Sequence, residues 1–433
     1  MKSQIKRITA SKLFIFLSLC GSLSFFIFAF FKGAFAFDWL CMINTGALQF
    51  IDYFQHVFYT AHRSTLYAQA AGDWGCFPAL AYVFYYFLYR ITAIPGLEFF
   101  STNEYVLNTY YPLTLFLLYS ILVSFFLLVA VELWLGSKRG KWIFTCLLLS
   151  APFFAGAIER GNSVLIIVAL LLIALKWRES ESKIKRELAL VFIATSAGLK
   201  IYPAIFGLLY LKDHQYKEAL RLLLYGLILF FVPFAFFGGV SGLKLWVNNI
   251  LEASTAGRLG RIEFIKGAVN SVTYILFGKG NTFFAEVLPN VFMLIMLVLA
   301  FISRSKHRTV FFLCAVMAFY PNNMHRYALT LLAIPLVLFL VDQGDRSLST
   351  PLLKLETILY GEMFSIPTLW GFLTGFALHF AFSPFATYVE VWLYATAYLL
   401  VLIVTCHELA EVLQFKNSFP FSKRFSSFSR RQS

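Results

Sequence analysis

The chain has 433 residues, 60% of them hydrophobic and only 13% charged, with a mean hydropathy of +0.74. No soluble globular protein of this length carries that composition, so the chain is an integral membrane protein. Its net charge of +14 does not mark a nucleic-acid binder: the basic residues sit in short clusters between apolar runs, with no basic patch on a soluble module.

The apolar runs are continuous, and most approach the ~20 residues that a helix needs to cross ~30 Å of hydrocarbon. Barrel strands are shorter and alternate. The expected fold is therefore all-α: a polytopic helical membrane protein with about 12 transmembrane helices. Lys2, Lys6, Arg7 and Lys12 precede the first span at 13–31. Ala34-Phe35-Ala36 looks like a signal-peptide cleavage site, but 19 apolar residues exceed a normal signal core, so this span is read as retained. Residues 32–110 then form a first outer loop, within which 77–91 is a short helix lying on or dipping into the outer interface; read instead as a full span, it would put Lys138–Lys141 outside, against the positive-inside bias.

The span 111–134 returns to Lys138, Arg139 and Lys141, which the positive-inside bias puts on the cytoplasmic side. Spans follow at 142–158, 163–177, 188–200, 203–211, 220–237, 283–302, 309–321, 327–341, 364–382 and 388–406, leaving both termini inside. The pair around Lys200-Ile201-Tyr202-Pro203 is too short for two crossings and reads as a broken re-entrant hairpin lining a cavity. Residues 238–282 form a second outer loop with Trp246, Arg258, Arg261 and Lys266. Residues 1–410 are one transmembrane domain, and 411–433 a basic, disordered cytoplasmic tail. The six cysteines have no metal-ligand spacing; Cys41 and Cys76 share the first outer loop, as two thiols or as a disulfide.

Polar residues collect at four outward-facing places. Asp52, His56, Tyr59 and Arg63 fall at i, i+4, i+7 and i+11, one stripe of a helix that is either a site or an ordinary amphipathic surface. Glu159-Arg160-Gly161-Asn162 is a charged hinge between spans; it is either a plain turn with Gly161 left-handed or a phosphate grip, since a guanidinium fork fits phosphate oxygens. Lys200 lies far from the basic loops, beside Pro203, where it either snorkels or lines a cavity. The fourth place is Tyr320-Pro321-Asn322-Asn323-Met324-His325-Arg326-Tyr327, suited to hydrogen bonding a sugar or phosphate. A carboxylate, imidazoles and three cations on one face fit group transfer from a lipid phosphate: the carboxylate takes a hydroxyl proton and the cations stabilise the leaving phosphate.

In order and spacing these motifs resemble the C-type (GT-C) glycosyltransferases, within them the bacterial polyprenol-phosphate-sugar-dependent mannosyltransferase-like proteins. The resemblance runs through Asp52-Tyr53, Arg63 to Tyr67, Phe77-Pro78-Ala79-Leu80-Ala81-Tyr82, Arg160-Gly161-Asn162 and Leu199-Lys200-Ile201-Tyr202-Pro203, covering roughly the first 340 residues. It implies that Asp52 is the catalytic base of an inverting transfer and that Arg160, Lys200 and Arg326 lie near the donor phosphate. His56, Arg63, Asn162, Tyr202 and His325 complete the expected substrate-binding set. The chain has Ala79 where the family commonly has a second proline, and Asp38 is a second outer carboxylate; Asp52 is preferred for its 26-residue spacing to Pro78 and its His56 neighbour.

The expected activity is transfer of a hexose, with mannose favoured by the resemblance, from a polyprenyl-phosphate donor to a cell-envelope glycan or glycolipid. The place is the outer face of the inner (cytoplasmic) membrane of a bacterium. The partners are the lipid-linked donor, the glycan acceptor and the bilayer, with no nucleic acid. No cofactor is expected, and no motif here binds a metal, although some C-type enzymes use a divalent ion. The alternatives are a polysaccharide polymerase or ligase, gripping an undecaprenyl diphosphate through Arg258 and Arg261, and a lipid-linked-sugar flippase.

Overall fold

A computed structural model describes residues 9–33, 50–70, 75–92, 110–136, 141–255, 263–278, 282–321, 326–343, 348, 350–364 and 388–418. Every regular element among these residues is helical. Among the described residues six helices are long and apolar enough to cross a membrane: Ala10–Phe31, Leu113–Leu135, Tyr216–Phe236, Phe283–Ile302, Arg326–Gln343 and Glu390–Val412. The helices Pro152–Arg160 and Val164–Trp177 form a further apolar pair, bent by 115° at the break between them. In hydrocarbon a helix is favoured because it satisfies its backbone polar groups within one segment.

Val164–Trp177 is the central helix. It is apolar all round, nearly every residue of it is buried, and it packs against Lys183–Leu199 and Tyr110–Leu135. Tyr216–Phe231 and Thr282–Ile302 instead turn large side chains outward, with Leu220 59% and Leu294 62% exposed, as helices that face lipid do.

The helix ends sort into two faces. At one, Lys306 and Lys176 stand on the Trp134 ring at 4.6 and 4.9 Å, Lys306 pairs with Glu179 at 2.6 Å, and Arg178 pairs with Asp213. Lys212 Nζ donates there to the carbonyls of Ala300 and Ser303, and Arg308 pairs with Glu408 at 3.0 Å. At the other face Tyr320 bonds Asn290, Arg326 pairs with Glu390 at 3.3 Å, and Arg160 pairs with Asp52. The helix Tyr388–Ser418 joins the two: Glu390 and Glu408 are 18 residues apart along it, roughly 27 Å at 1.5 Å per residue, which is a hydrocarbon thickness.

Several expected elements differ. The 142–158 span is two helices, Lys141–Ser150 and Pro152–Arg160, because Pro152 at the first helical position disfavours helix at Ala151, which is extended. The segment 203–211 is not one continuous helix: a 3₁₀ turn, Tyr202–Gly207, and a short helix, Leu208–Lys212, lead from Lys200 to the basic end, where Arg178 Nη2 donates to Leu209 O. The 188–200 stretch is the apolar part of Lys183–Leu199, which begins in the basic residues Lys183, Lys185 and Arg186. The second outer loop is largely helical, as Gly239–Thr255 and Ile265–Phe277, and the last helix runs on to Ser418 within the expected tail. The short helix of the first loop is Ala79–Thr92. The 364–382 span lies outside the described residues but for Phe364, as do Asp38, Cys41, Arg258, Arg261 and His325.

Candidate active site

The four residues 159–162 organise the site. Pro152–Arg160 ends in a Schellman arrangement: Gly161 N–H donates to Ile158 O at 3.0 Å and Asn162 N–H to Ala157 O at 3.1 Å. Gly161 has φ +68, and a Cβ there would stand 2.6 Å from Tyr53 Cβ, so both backbone and space require glycine. The chain reverses, and Asn162 Oδ1 accepts from Val164 N–H at 3.0 Å, capping the central helix.

This turn clasps the first turn of Ile51–Tyr59. Phe50 precedes that helix with φ 56 and cannot cap it with its side chain; Glu159 Oε1, 109 residues away, accepts the Phe50 N–H at 3.1 Å. Arg160 reaches Asp52 through Nε to Oδ2 at 3.0 Å and Nη2 to Oδ1 at 2.5 Å, while Asn162 Nδ2 donates to Oδ2 at 2.7 Å. The rings of Phe50, Tyr53, Phe54, Phe116 and Tyr119 pack around the clasp, and Tyr119 Oη donates to Gly161 O at 3.2 Å.

Asp52 is 3% exposed. Burial by itself would raise its pKa, but the charge and hydrogen bonds of Arg160, with smaller help from His56 and Asn162, bring it down to about 2. It is ionised at any physiological pH. A carboxylate offers about four lone-pair positions. Arg160 and Asn162 fill three of them, and among the described residues no donor takes the fourth, on Oδ1.

Lys200 stands beside this pair. The helix Lys183–Leu199 ends there in extended backbone, and Pro203 enforces the break. Gly198 allows the close approach of Ala79–Thr92, since a Cβ at Gly198 would meet Leu80 Cδ2 at 2.5 Å. Lys200 is buried, with Nζ at 4.4, 5.0 and 6.0 Å from the ring centroids of Tyr327, Phe77 and Tyr202. Among the described residues no carboxylate lies within ion-pair distance of it. Tyr327 also faces Arg160, whose Cζ is 6.0 Å from the same ring. Such rings hold an ammonium by cation–π attraction without neutralising it.

Of the residues singled out in the sequence, the structure brings together Asp52, His56, Arg160, Asn162, Lys200 and Tyr202. The expected stripe is not a solvated face: Asp52, His56 and Tyr59 are buried, and the helix gives way to a 3₁₀ turn at Thr60, which carries Arg63 out onto the Tyr86 ring at 5.2 Å. Arg160 is committed to Asp52, and Arg326 donates to Glu390 at 3.3 Å. The roles of Glu159, Phe77 and Tyr327 were not visible as such. Glu159 shared a motif with Arg160, but nothing in the sequence tied it to Phe50. Among the described residues no three His, Cys, Asp or Glu side chains converge as metal ligands.

The comparisons with known proteins bear on the same residues. No curated protein matches the chain. A family model described as glycosyltransferase family 87 matches residues 105–341, more than half of the sequence. The matched stretch holds Arg160, Asn162, Lys200, Tyr202 and Tyr327, while Asp52 and its helix lie before it. With more than half of its sequence matched and several apolar helices long enough to span a membrane, the chain belongs to glycosyltransferase family 87, a family of membrane glycosyltransferases similar to the C-type superfamily.

Proposed function

We propose that this glycosyltransferase takes a hexose, mannose by the resemblance in its motifs, from a polyprenyl-phosphate donor and passes it to an envelope glycan or glycolipid at the outer face of the cytoplasmic membrane. The twelve-span arrangement with both termini inside belongs to the same reading. One observation carries it: a buried carboxylate with one acceptor position left stands beside a buried lysine that no described carboxylate pairs with. That combination serves a reaction in which a proton is lost on one side and a phosphate departs on the other.

In this reaction the acceptor hydroxyl attacks the anomeric carbon from the face opposite the phosphate. The new C–O bond forms as the bond to the phosphate oxygen breaks, with inversion, and polyprenyl phosphate leaves with the electron pair. Lys200 would stabilise the charge that develops on it. The hydroxyl proton goes to Asp52 Oδ1. A carboxylate with a pKa of about 2 is a weak base, but an oxygen that has bonded to an oxocarbenium-like carbon is a strong acid, so the transfer runs downhill once the bond forms. Asp52 needs to be ionised and in place more than it needs to be basic, and Arg160 secures both.

The test is donor class. The full chain in liposomes, given radiolabelled mannose on a short polyprenyl phosphate, should label a glycolipid acceptor, whereas a nucleotide-linked mannose should not. Transfer from the nucleotide donor alone would overturn the reading.

A further inference from the structure

His56 follows Asp52 by one turn on the same buried face of Ile51–Tyr59 and is 1% exposed. Its ring is walled by Phe77 at 4.4 Å, Tyr85 at 5.1 Å and Tyr82 at 5.7 Å, measured between centroids. Among the described residues neither Nδ1 nor Nε2 has a hydrogen-bond partner. Buried polar atoms left this way are costly, and an apolar side chain would pack against three aromatic rings without that cost. A histidine here needs a polar guest.

The guest's chemistry follows from the state of the ring. Burial lowers the pKa, Lys200 and Arg160 lower it further, Asp52 opposes them, and the result is about 4. The imidazole is neutral, with one donor and one acceptor nitrogen. A phosphate would favour the two cations nearby, whereas a sugar hydroxyl both gives and accepts and so pairs with either tautomer. Aromatic walls also suit the apolar face of a pyranose ring. Four residues of helix place His56 roughly 6 Å along the axis from Asp52, about the reach from one hydroxyl to another across a hexose.

We propose that His56 binds a hydroxyl of the acceptor sugar other than the one that attacks, and so selects and orients the acceptor. This rests on the reading of Asp52 as the group that receives the attacking hydroxyl's proton. The tie to a ligand group, rather than to the fold, is the testable content.

The experiment uses the full chain in liposomes, radiolabelled mannose on a polyprenyl phosphate, and octyl α-mannoside with its set of monodeoxy analogues as acceptors. For one analogue lacking a hydroxyl that is not the attacking one, kcat/KM should fall by about 30-fold or more with the wild type, since a buried group is left unpaired. His56→Ala should lose about as much with the parent acceptor, and combining the two should cost no more than about threefold beyond either alone. His56→Gln, which keeps a donor and an acceptor, should recover part of the loss. Losses from His56→Ala and from every deoxy analogue that multiply independently would overturn the role of His56 while leaving transfer intact. Absence of transfer by the wild type to any of the hexosides would overturn the transfer reading and this inference with it.

Discussion

Asp52 and Arg160, 108 residues apart in sequence, are joined by a two-pronged ion pair with 3% and 9% of their surfaces exposed. A pair this buried is costly to break, because removing one charge strands the other, at about 3–5 kcal/mol. Asp52 therefore has two jobs, and a substitution tests both. Asp52→Asn should lower transfer by about 10²-fold or more and also lower the melting temperature, since Arg160 loses its counter-charge. The double variant Asp52→Asn with Arg160→Gln should regain melting temperature but no activity. Recovered activity in the double variant would show that the carboxylate matters only for folding.

The same pair sets a pH dependence. Asp52's folded pKa, about 2, lies below its ordinary 3.8. Its contribution to stability is thus complete above the ordinary value and is lost as pH falls toward about 2, outside any working range. In the wild type the acid limb of the pH–rate profile should not come from Asp52. In Arg160→Gln burial is no longer opposed by the guanidinium, so Asp52's pKa should rise and an acid limb should move up toward neutrality. An unchanged profile in a folded Arg160→Gln protein would remove Asp52 from proton transfer.

The two other cations expected at the donor phosphate part company. Among the described residues Lys200 Nζ meets rings and no carboxylate, while Arg326 has Glu390. Lys200→Met should raise the donor KM or cut kcat by about tenfold or more, with little change in melting temperature. Arg326→Ala should act as Glu390→Ala does, and the pair of substitutions should be no worse than either, as partners in one ion pair behave. If Lys200→Met leaves both kinetic constants unchanged, the phosphate is bound elsewhere.

Much of this site is legible in the sequence because ionisable residues are conspicuous in an apolar chain. Asp52, Arg160 and Lys200 stand out by cost alone. Their direction is not legible. Helical spacing placed Asp52 and His56 on one face correctly, but the same pattern describes a face turned to water and one turned inward, and only the rings of Phe77, Tyr82 and Tyr85 decide it. Pairing is not legible either. Arg160 looks like a phosphate ligand until Asp52 arrives from 108 residues away. The irregular backbone is hidden for a related reason: the 3₁₀ turns at Tyr202–Gly207 and Arg326–Leu332 are as apolar as the helices they continue into, so hydropathy alone does not separate them.

Gly161 sharpens the geometric claim. Its left-handed φ and the 2.6 Å gap to Tyr53 Cβ leave no room for a methyl group. Gly161→Ala should destabilise the protein by about 1–3 kcal/mol and shift Arg160 and Asn162 off Asp52, lowering kcat more than it raises the donor KM. Gly136, also left-handed but with open space around it, is the control: Gly136→Ala should carry the backbone penalty alone and leave kcat intact. Equal loss of kcat in both variants would mean that the turn at Gly161 does not set the site.

The remaining prediction concerns which face is which. The basic contacts of Lys176, Arg178, Lys212, Lys306 and Arg308 gather at one set of helix ends, and Asp52, Arg160 and Glu390 gather at the other. On the proposed reading the positive-inside bias orients the first toward the cytoplasm, and the site would then meet a lipid-linked donor from outside. Ser64, two residues beyond the helix carrying Asp52 and its 3₁₀ extension, is exposed, and so is Glu181 at the basic end. In a background with the native cysteines replaced, a membrane-impermeant thiol reagent added to intact cells should label Ser64→Cys and spare Glu181→Cys until the membrane is opened. Labelling of Glu181→Cys in intact cells, with Ser64→Cys protected, would invert the protein. The sugar would then be transferred on the cytoplasmic side, and the outer-face reading would fall.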